Sequence, residues 1–282
     1  MIIKSVGYFP EACARNSTPI MSAVLSHLQS VGISTVQNSW DADAALIWSV
    51  LWHGRMVANR SVYEYYRTKS RPVIIIDIGA LVRGHTWKIS VNNITADGYY
   101  GHKENLDLDR PKKLGIKLAT AQNQNRTILI AAQHRNSQQV IKLGGMENWI
   151  NQQITNVRAV TDRPIVVRPH PRSPINIKLL PADVHIEIPA RLPNTYDSFD
   201  MTLNCHAVVN HNSGPGIQAA IAGIRPIVDA TSLAHPVSVA FRGIETAYDI
   251  DRSQWLIEMA HTEYTVQELM EGSWLKRIAP AL

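Results

Sequence analysis

Two short segments of the chain place cationic and small polar residues directly after apolar, strand-like runs. The first reads VVRPHPRS, and in it Arg168, His170 and Arg172 alternate with two prolines. Alternate side chains of an extended segment project to the same side, so these three groups are expected to face one ligand. Two guanidinium groups beside an imidazole suit a phosphate or diphosphate. The alternative is a solvated loop whose basic residues bind nothing.

The second segment reads HNSGPGIQAAIAG. Asn212 or Ser213 is expected to cap a helix that begins near Pro215, with proline in its first turn. Gly214 and Gly216 lack side chains, so a ligand can approach the backbone there. A helix start carries unsatisfied N–H groups and a positive dipole end, which together predict an anion site. The alternative is an ordinary capped helix of an α/β unit.

Apolar runs alternate with helical patterns along both halves of the chain. The predicted strands are IIKSVGYF, ISTVQ, DAALIWSV, PVIIIDIG, TILIAAQ, PIVVRPH, VHIEI, HAVVNH and RPIVD. Residues 97–125 interrupt them with charge, glycine and proline, which predicts a connection between domains. This alternation predicts an α/β fold of parallel sheets covered by helices. We expect two Rossmann-like domains around a central cleft, residues 1–110 and 111–282, the second ending in two helices.

Composition and absent patterns narrow the class of protein. The chain has 282 residues, of which 45% are hydrophobic, and a formal net charge of +5, which permits an anionic partner. No signal peptide is visible and no apolar run is long enough to span a bilayer, so we expect a cytoplasmic protein without integral membrane association. The chain has no phosphate-binding P-loop, dinucleotide fingerprint or zinc-type histidine spacing, which excludes the corresponding kinases and dehydrogenases.

A strand ending in HNSG, a helix of small residues and then GIRPIV resemble the donor-binding half of GT-B glycosyltransferases. RPHPR is similar to a segment of capsule and lipopolysaccharide sugar transferases, and RGHTWKISVNNI to one of phage and capsule-type transferases. The resemblance implies a nucleotide-sugar donor, such as a UDP-sugar, on the C-terminal half and the acceptor on the N-terminal half, with no required cofactor. It also implies that His170 and Arg172 hold phosphate oxygens and that Ser213, Gly214 and Gly216 supply the anion site.

A transferase that inverts configuration needs a base near the acceptor hydroxyl. Three residues at predicted strand ends of the first half are candidates: Asp77, Glu11 and His53. Asp77 ranks first because it follows four apolar residues and precedes a glycine. Two alternatives to this role remain. Asp77 is a buried aspartate that accepts hydrogen bonds from backbone N–H groups, or the enzyme retains configuration and needs no protein base. Asp41 and Asp43 match an Asp-x-Asp metal site but precede their strand, so no metal is expected.

The acceptor is predicted from a second resemblance. Compact phage enzymes that glycosylate hydroxylated or hydroxymethylated pyrimidines in DNA share this two-domain plan, so double-stranded DNA is the first expectation, in the host cytoplasm if the protein is phage-encoded. Lys112 and Lys113, in the basic run RPKKLGIK, are expected to contact DNA phosphates. His85, Asn92 and Asn93 are expected to read a flipped base. The alternatives are a cell-envelope glycosyltransferase and a protein that binds a nucleotide sugar without transferring it, or an epimerase-like enzyme.

Overall fold

The computed structural model describes residues 3–121 and 126–282. The last four residues of the predicted connection, 122–125, lie outside the described residues. The elements in chain order are β1 (Ser5–Tyr8), α1 (Thr18–Ser30), β2 (Ser34–Gln37), β3 (Ala44–Trp48), α2 (Asn59–Thr68), β4 (Val73–Ile78), β5 (Trp87–Val91), α3 (Arg110–Lys113), β6 (Ile128–Ala131), α4 (Met146–Arg158), β7 (Ile165–Arg168), β8 (His185–Ile186), β9 (Ala207–Asn210), α5 (Gly214–Ile221), β10 (Arg225–Val228), α6 (Ser253–Ala260), β11 (Glu263–Tyr264), α7 (Val266–Glu271) and α8 (Ser273–Ile278).

The chain divides into two compact units. The first contains the residues through Arg110 together with Glu258–Leu282, and the second is Pro111–Ile257. The predicted second domain, 111–282, differs from this division, because the C-terminal segment Glu258–Leu282 belongs to the first unit. The tail also differs from the two expected helices, because it forms α6, α7 and α8, with the short strand β11 between the first two. The physical reason is that β11 pairs with β5 and α7 packs against α1.

The first unit contains a six-stranded sheet in the order β11–β5–β4–β3–β1–β2. The four strands from β4 to β2 are parallel; at one edge β5 pairs antiparallel with β4, and β11 pairs antiparallel with β5. Alternate residues of β4 enter different cores: Ile74 and Ile76 pack with α1, α7 and α8, and Val73 and Ile75 pack with α2. Helices cover both faces of the sheet, so its central strands read as continuous apolar runs.

The second unit contains a parallel five-stranded sheet in the order β10–β9–β6–β7–β8. Ile128, Ile130 and Val167 pack with α4 on one face, and Leu129 and Val208 pack with α5 on the other. Helices that alternate with parallel strands and cover both faces form a Rossmann-like arrangement. The carboxyl ends of all five strands therefore lie along one edge of this sheet.

Candidate functional site

Three loops of the second unit meet at the carboxyl edge of its sheet. They follow β6, β7 and β9, which lie side by side in the order β9–β6–β7. The rings of His134 and His170, in the first two loops, have centroids 5.2 Å apart. Gln133 in the first loop accepts a hydrogen bond from the backbone N–H of Asn212 in the third, at 2.9 Å. The chain leaves β6 towards β7 and later places β9 on its other side, and ligands bind at such a switch point in open α/β sheets.

A buried asparagine fixes the start of α5. The side-chain amide of Asn210 donates to the carbonyl oxygen of Ala131 (2.9 Å) and to the hydroxyl of Ser213 (3.0 Å). Its carbonyl oxygen accepts from the backbone N–H of Ser213 (2.8 Å). Ser213 occupies the N-cap position and Gly214 and Pro215 begin the helix, but no side chain caps it. No side-chain cap therefore occupies the N–H groups at this helix start, where an anion could bind.

Gly216 and Asn212 have structural roles that differ from the expected ones. A Cβ atom added at Gly216 would lie 2.8 Å from Cγ1 of Val228. The missing side chain therefore allows α5 to pack closely against β10, whereas the sequence analysis expected it to admit a ligand. Asn212 donates from its amide to the hydroxyl of Thr231 (2.8 Å), while its carbonyl oxygen is buried without a hydrogen-bond partner among the described residues. Asn212 thus joins the loops that follow β9 and β10 and does not cap α5.

Arg168 pairs inside the protein. It is 8% exposed, its Nε donates to a carboxylate oxygen of Glu187 (2.9 Å), and its Nη2 pairs with the same oxygen. Nη2 also donates to the carbonyl oxygen of Thr202 (3.0 Å). Alternation in the sequence predicts that Arg168 faces the ligand together with His170 and Arg172. The structure contradicts that alignment, because the guanidinium group of Arg168 joins β7 to the segments at 187 and 202.

The segment after Arg168 turns, and this separates its cationic groups. His170 and Ser173 form a bridge in which the N–H of Ser173 donates to the carbonyl of His170 (2.9 Å). The N–H of Arg172 donates to Nδ1 of His170 (3.1 Å), so the neutral ring carries its proton on Nε2. The side chain of Arg172 is exposed and its Nη2 lies 3.4 Å from the carbonyl oxygen of Asp197. His170 and Arg172 therefore sit on one tight turn and not on an extended strand.

A cavity of about 210 Å³ opens at the carboxyl ends of β9 and β10. Its walls include Trp149 and Gln153 from α4, His211, Asp229 and Phe241. Burial lowers the pKa of His211, and the charge of Asp229 partly opposes this shift. For Asp229 burial raises the pKa, but hydrogen bonds from the following turn outweigh it, and the pKa lies below its usual range. The cavity therefore has an ionised carboxylate beside a neutral imidazole and aromatic walls.

Gln133 and His134 also contribute to this edge, although they are not among the residues predicted from the sequence. Both are buried, at about 6% exposure each, and follow β6 directly. A signal was present, since ILIA is followed by a run of polar residues in the same way as VVR and AVVN. Trp149 had no comparable signal, because it occupies one position in an amphipathic helix and its proximity to His211, with ring centroids 6.4 Å apart, is a tertiary contact.

The three candidate bases lie at the carboxyl edge of the first unit's sheet. Asp77 is half-buried near the end of β4, and its carboxylate accepts from the hydroxyl of Ser49 (3.3 Å) and from the N–H of Ile78 (2.7 Å). Burial raises the pKa of Asp77, and the nearby ammonium group of Lys88 partly opposes the shift. Glu11 and His53 are exposed and follow β1 and β3. Of the three, only Asp77 is partly shielded from solvent.

The proposed base-reading residues do not form one site. His85 is exposed in the loop between β4 and β5, whereas Asn92 and Asn93 follow β5 at its other end. Asn92 has a structural role, because its side-chain oxygen accepts from the N–H of Val73 (3.0 Å) and its backbone carbonyl accepts from Tyr63 (2.9 Å). Asn92 thus holds the start of β4. The structure contradicts the grouping because an antiparallel strand separates its members.

The residues of the basic run RPKKLGIK differ in their exposure to solvent. Lys112 and Lys113 are exposed on α3, as a surface role requires. Arg110, which begins the same run, is buried: it forms an ion pair with Glu268, and its guanidinium lies 5.3 Å from the ring centroid of Tyr264. Arg110 therefore cannot contact DNA phosphates without unfolding its surroundings.

Within residues 3–121 and 126–282, no three His, Cys, Asp or Glu side chains are arranged to hold a metal ion. Asp43 of the Asp-x-Asp pattern accepts from the N–H groups of Lys4 (2.7 Å) and Ser5 (2.9 Å), which fixes the start of β1. Among the helices in the described residues, none has the length and hydrophobicity needed to cross a bilayer.

Comparisons with solved structures identify similar folds. One match is KpsC of Thermosulfurimonas dismutans, described as a beta Kdo 2,7 transferase, with a TM-score of 0.52 and 13% identity over 95% of this chain and 97% of that one. A second is KpsC of the same organism, described as a beta Kdo 2,4 transferase, with a TM-score of 0.51 and 12% identity over 96% and 99%. No protein-family model and no curated protein sequence matches the chain. The chain has the fold of these glycosyltransferases, and the GT-B-like α/β fold predicted from the sequence is confirmed.

Proposed function

We propose that the protein is a glycosyltransferase that moves a sugar from a nucleotide-sugar donor to a hydroxyl acceptor. The observation that carries the proposal is the meeting of the loops after β6, β7 and β9 at one sheet edge, with His134 beside His170 and Gln133 bonded to Asn212. The edge combines imidazole donors, an exposed guanidinium and an uncapped helix start. Each of these is a group that binds phosphate.

The donor's phosphate is assigned to His170, Arg172 and the Ser213–Gly214 helix start. With Nδ1 of His170 accepting from Arg172, Nε2 carries the proton and serves as the donor to a phosphate oxygen. Arg172 is exposed and supplies charge that a bound phosphate would attract. Arg168 contributes indirectly: its pairing with Glu187 fixes the end of β7, from which the His170 turn extends.

The acceptor's proton is assigned to Asp77. In an inverting transfer, the acceptor oxygen forms a bond to the anomeric carbon while the bond from that carbon to the donor's phosphate oxygen breaks. The phosphate leaves with the electron pair, and the base takes the proton of the acceptor hydroxyl. A carboxylate with a raised pKa suits this step at neutral pH, and Asp77 has this property. Glu11 and His53 remain the second and third candidates.

The acceptor we favour is a carbohydrate of the cell envelope. The two solved neighbours are named as Kdo transferases, so Kdo is the first donor sugar to test. DNA carrying a hydroxymethylated pyrimidine becomes the second candidate acceptor. Arg110 is buried and so cannot contact DNA phosphates, and Asn92 is engaged in holding β4 and so is not available to read a base. The exposed side chains of Lys112 and Lys113 still favour DNA.

The test combines donor binding and transfer. A panel of nucleotides and nucleotide sugars is screened by thermal shift, and each hit is then incubated with envelope oligosaccharides or with hydroxymethylated duplex DNA and analysed by mass spectrometry. His170→Ala and Arg172→Ala are expected to weaken donor binding at least tenfold, while Lys178→Ala, an exposed cation of the same unit, leaves it unchanged. No stabilisation by any donor would refute the proposed site, and a mass gain on DNA alone would make DNA the acceptor. Binding without turnover would favour a nucleotide-sugar-binding protein.

A further inference from the structure

Three charged side chains form one row across the sheet of the first unit. In the strand register, Asp77 of β4 is opposite Lys88 of β5, and Lys88 is opposite Glu263 of β11. Directly opposed residues of neighbouring strands project from the same face with their Cβ atoms about 5 Å apart. Lys88 is 8% exposed and Glu263 is fully buried. In the strand register one lysine therefore lies between two acidic residues, and two of the three side chains are buried.

Hydrogen bonds hold the side chain of Glu263 in place. Its carboxylate accepts from the N–H groups of Ala80 (2.7 Å) and Leu81 (3.1 Å) and from the hydroxyl of Thr86 (2.7 Å). These three donors fix the Glu263 end of the row. Gly79 makes the approach possible, since a Cβ atom there would lie 2.4 Å from Oε2 of Glu263.

Asp77 is less strongly fixed than Glu263. It accepts from the Ser49 hydroxyl and from the N–H of Ile78. The charged and titratable groups that face it are Lys88 on β5, Arg83 in the loop after β4, the Tyr100 hydroxyl beyond β5 and, next in the row, Glu263. If the positive charge of Lys88 were removed, the pKa of Asp77 would rise further, because burial already raises it and Lys88 is the largest influence that opposes burial.

We propose that Lys88 is a positioning residue of the transfer reaction, whose ammonium group, placed between Asp77 and Glu263, keeps Asp77 in the ionised form that accepts the acceptor's proton. This inference rests on the proposed function, in which Asp77 is the base. The electrostatic balance agrees with the geometry. Burial raises the pKa of Asp77, and attraction to Lys88 is the largest influence that lowers it. Lys88 therefore influences what fraction of Asp77 is ionised, and so able to accept a proton, near neutral pH.

The first measurement is direct titration of Asp77 and needs no substrate. Protein labelled with ¹³C at aspartate carboxyl groups is titrated by NMR, and the Asp77 signal is identified by its loss in Asp77→Asn. Lys88→Met, which keeps an unbranched side chain one atom shorter but removes the charge, is expected to raise the pKa of Asp77 by about one unit or more. Lys88→Arg, the matched control that keeps the charge, is expected to shift it much less.

The second measurement is the pH dependence of kcat with the donor and acceptor found above. In Lys88→Met the acidic limb should move to higher pH by the shift measured by NMR, with KM for the donor unchanged. A folded Lys88→Met with an unchanged Asp77 pKa, or an unmoved limb, would overturn the inference. If Lys88→Met does not fold, Glu263→Gln gives the opposite test, because removing the second carboxylate should lower the Asp77 pKa. The NMR shift without any transferase activity would instead refute the proposed function.

Discussion

Replacing Arg110 by methionine is expected to destabilise the first unit by about 4 kcal/mol. The Arg110 and Glu268 side chains pair through both carboxylate oxygens at only 10% and 21% exposure. Arg110 also donates from Nε to the carbonyl of Ala260 (2.5 Å) and from Nη2 to the carbonyl of Glu263 (2.8 Å). A buried pair that loses one partner costs about 3–5 kcal/mol. Methionine keeps the contact with Tyr264, and the partial exposure of Glu268 keeps the loss below the upper limit.

The effect of this substitution should depend on pH in a defined direction. Burial acts to raise the pKa of Glu268, but hydrogen bonds from Arg110 and Thr265 outweigh it, so the folded-state pKa is lowered. A carboxyl group whose pKa is lowered in the folded state stabilises the fold at pH values above its pKa in the unfolded chain, which is about 4.3. That contribution is lost as pH falls through the folded-state pKa. The difference in the free energy of unfolding between wild type and Arg110→Met should therefore have its maximum value at pH 7 and decrease below about pH 4.

Urea unfolding at pH 7 and at pH 3.5, followed by tryptophan fluorescence, measures both effects. Arg60→Met is the matched control, because Arg60 forms an exposed pair with Glu64 one helical turn away and should change stability by less than about 0.5 kcal/mol. DNA affinity is measured on the same proteins. An Arg110→Met protein as stable as the wild type but weaker in DNA binding would show that the side chain is a surface contact and would refute this reasoning.

Three further substitutions test other parts of the structure. Asp77→Asn should raise the unfolding midpoint at pH 7, because a raised folded-state pKa makes ionisation costly, and calorimetry should show the gain vanish below the unfolded pKa of about 3.9. Gly216→Val should lower stability by about 1–3 kcal/mol, since the new side chain meets Val228, and an unchanged Tm would contradict the packing role. Hydrogen bonds from Arg163 and Thr161 lower the pKa of Glu245 to about 2, so Glu245→Gln should lose stability at pH 7, and urea titrations should show this loss shrink as the pH falls through about 2. The loss should stay below about 1 kcal/mol because the Glu245–Arg163 pair is partly exposed.

Much of the fold and part of the site could be predicted from local patterns. Buried strands read as apolar runs such as VIII and ILIA, and polar residues at their ends predicted the carboxyl edges where His170, Ser213 and Asp77 lie. These features are local, because strand burial and helix starts depend on neighbouring residues. The turn at His170–Ser173 is harder to predict from the sequence. Alternation of residues suggests an extended segment, whereas the hydrogen bond that closes the turn breaks that alternation.

The sequence by itself determined the α/β class, most strand positions and the sheet edges at which polar and cationic groups cluster. Only the tertiary structure decided which of those groups bind within the protein. Arg168 pairs with Glu187, 19 residues away, and Arg110 with Glu268, 158 residues away. Lys88 and Glu263 are opposed only because β11 pairs with β5. A cationic side chain has the same local signature whether it binds a ligand or a distant carboxylate, since the partner is chosen by strand order and packing, which local spacing does not encode.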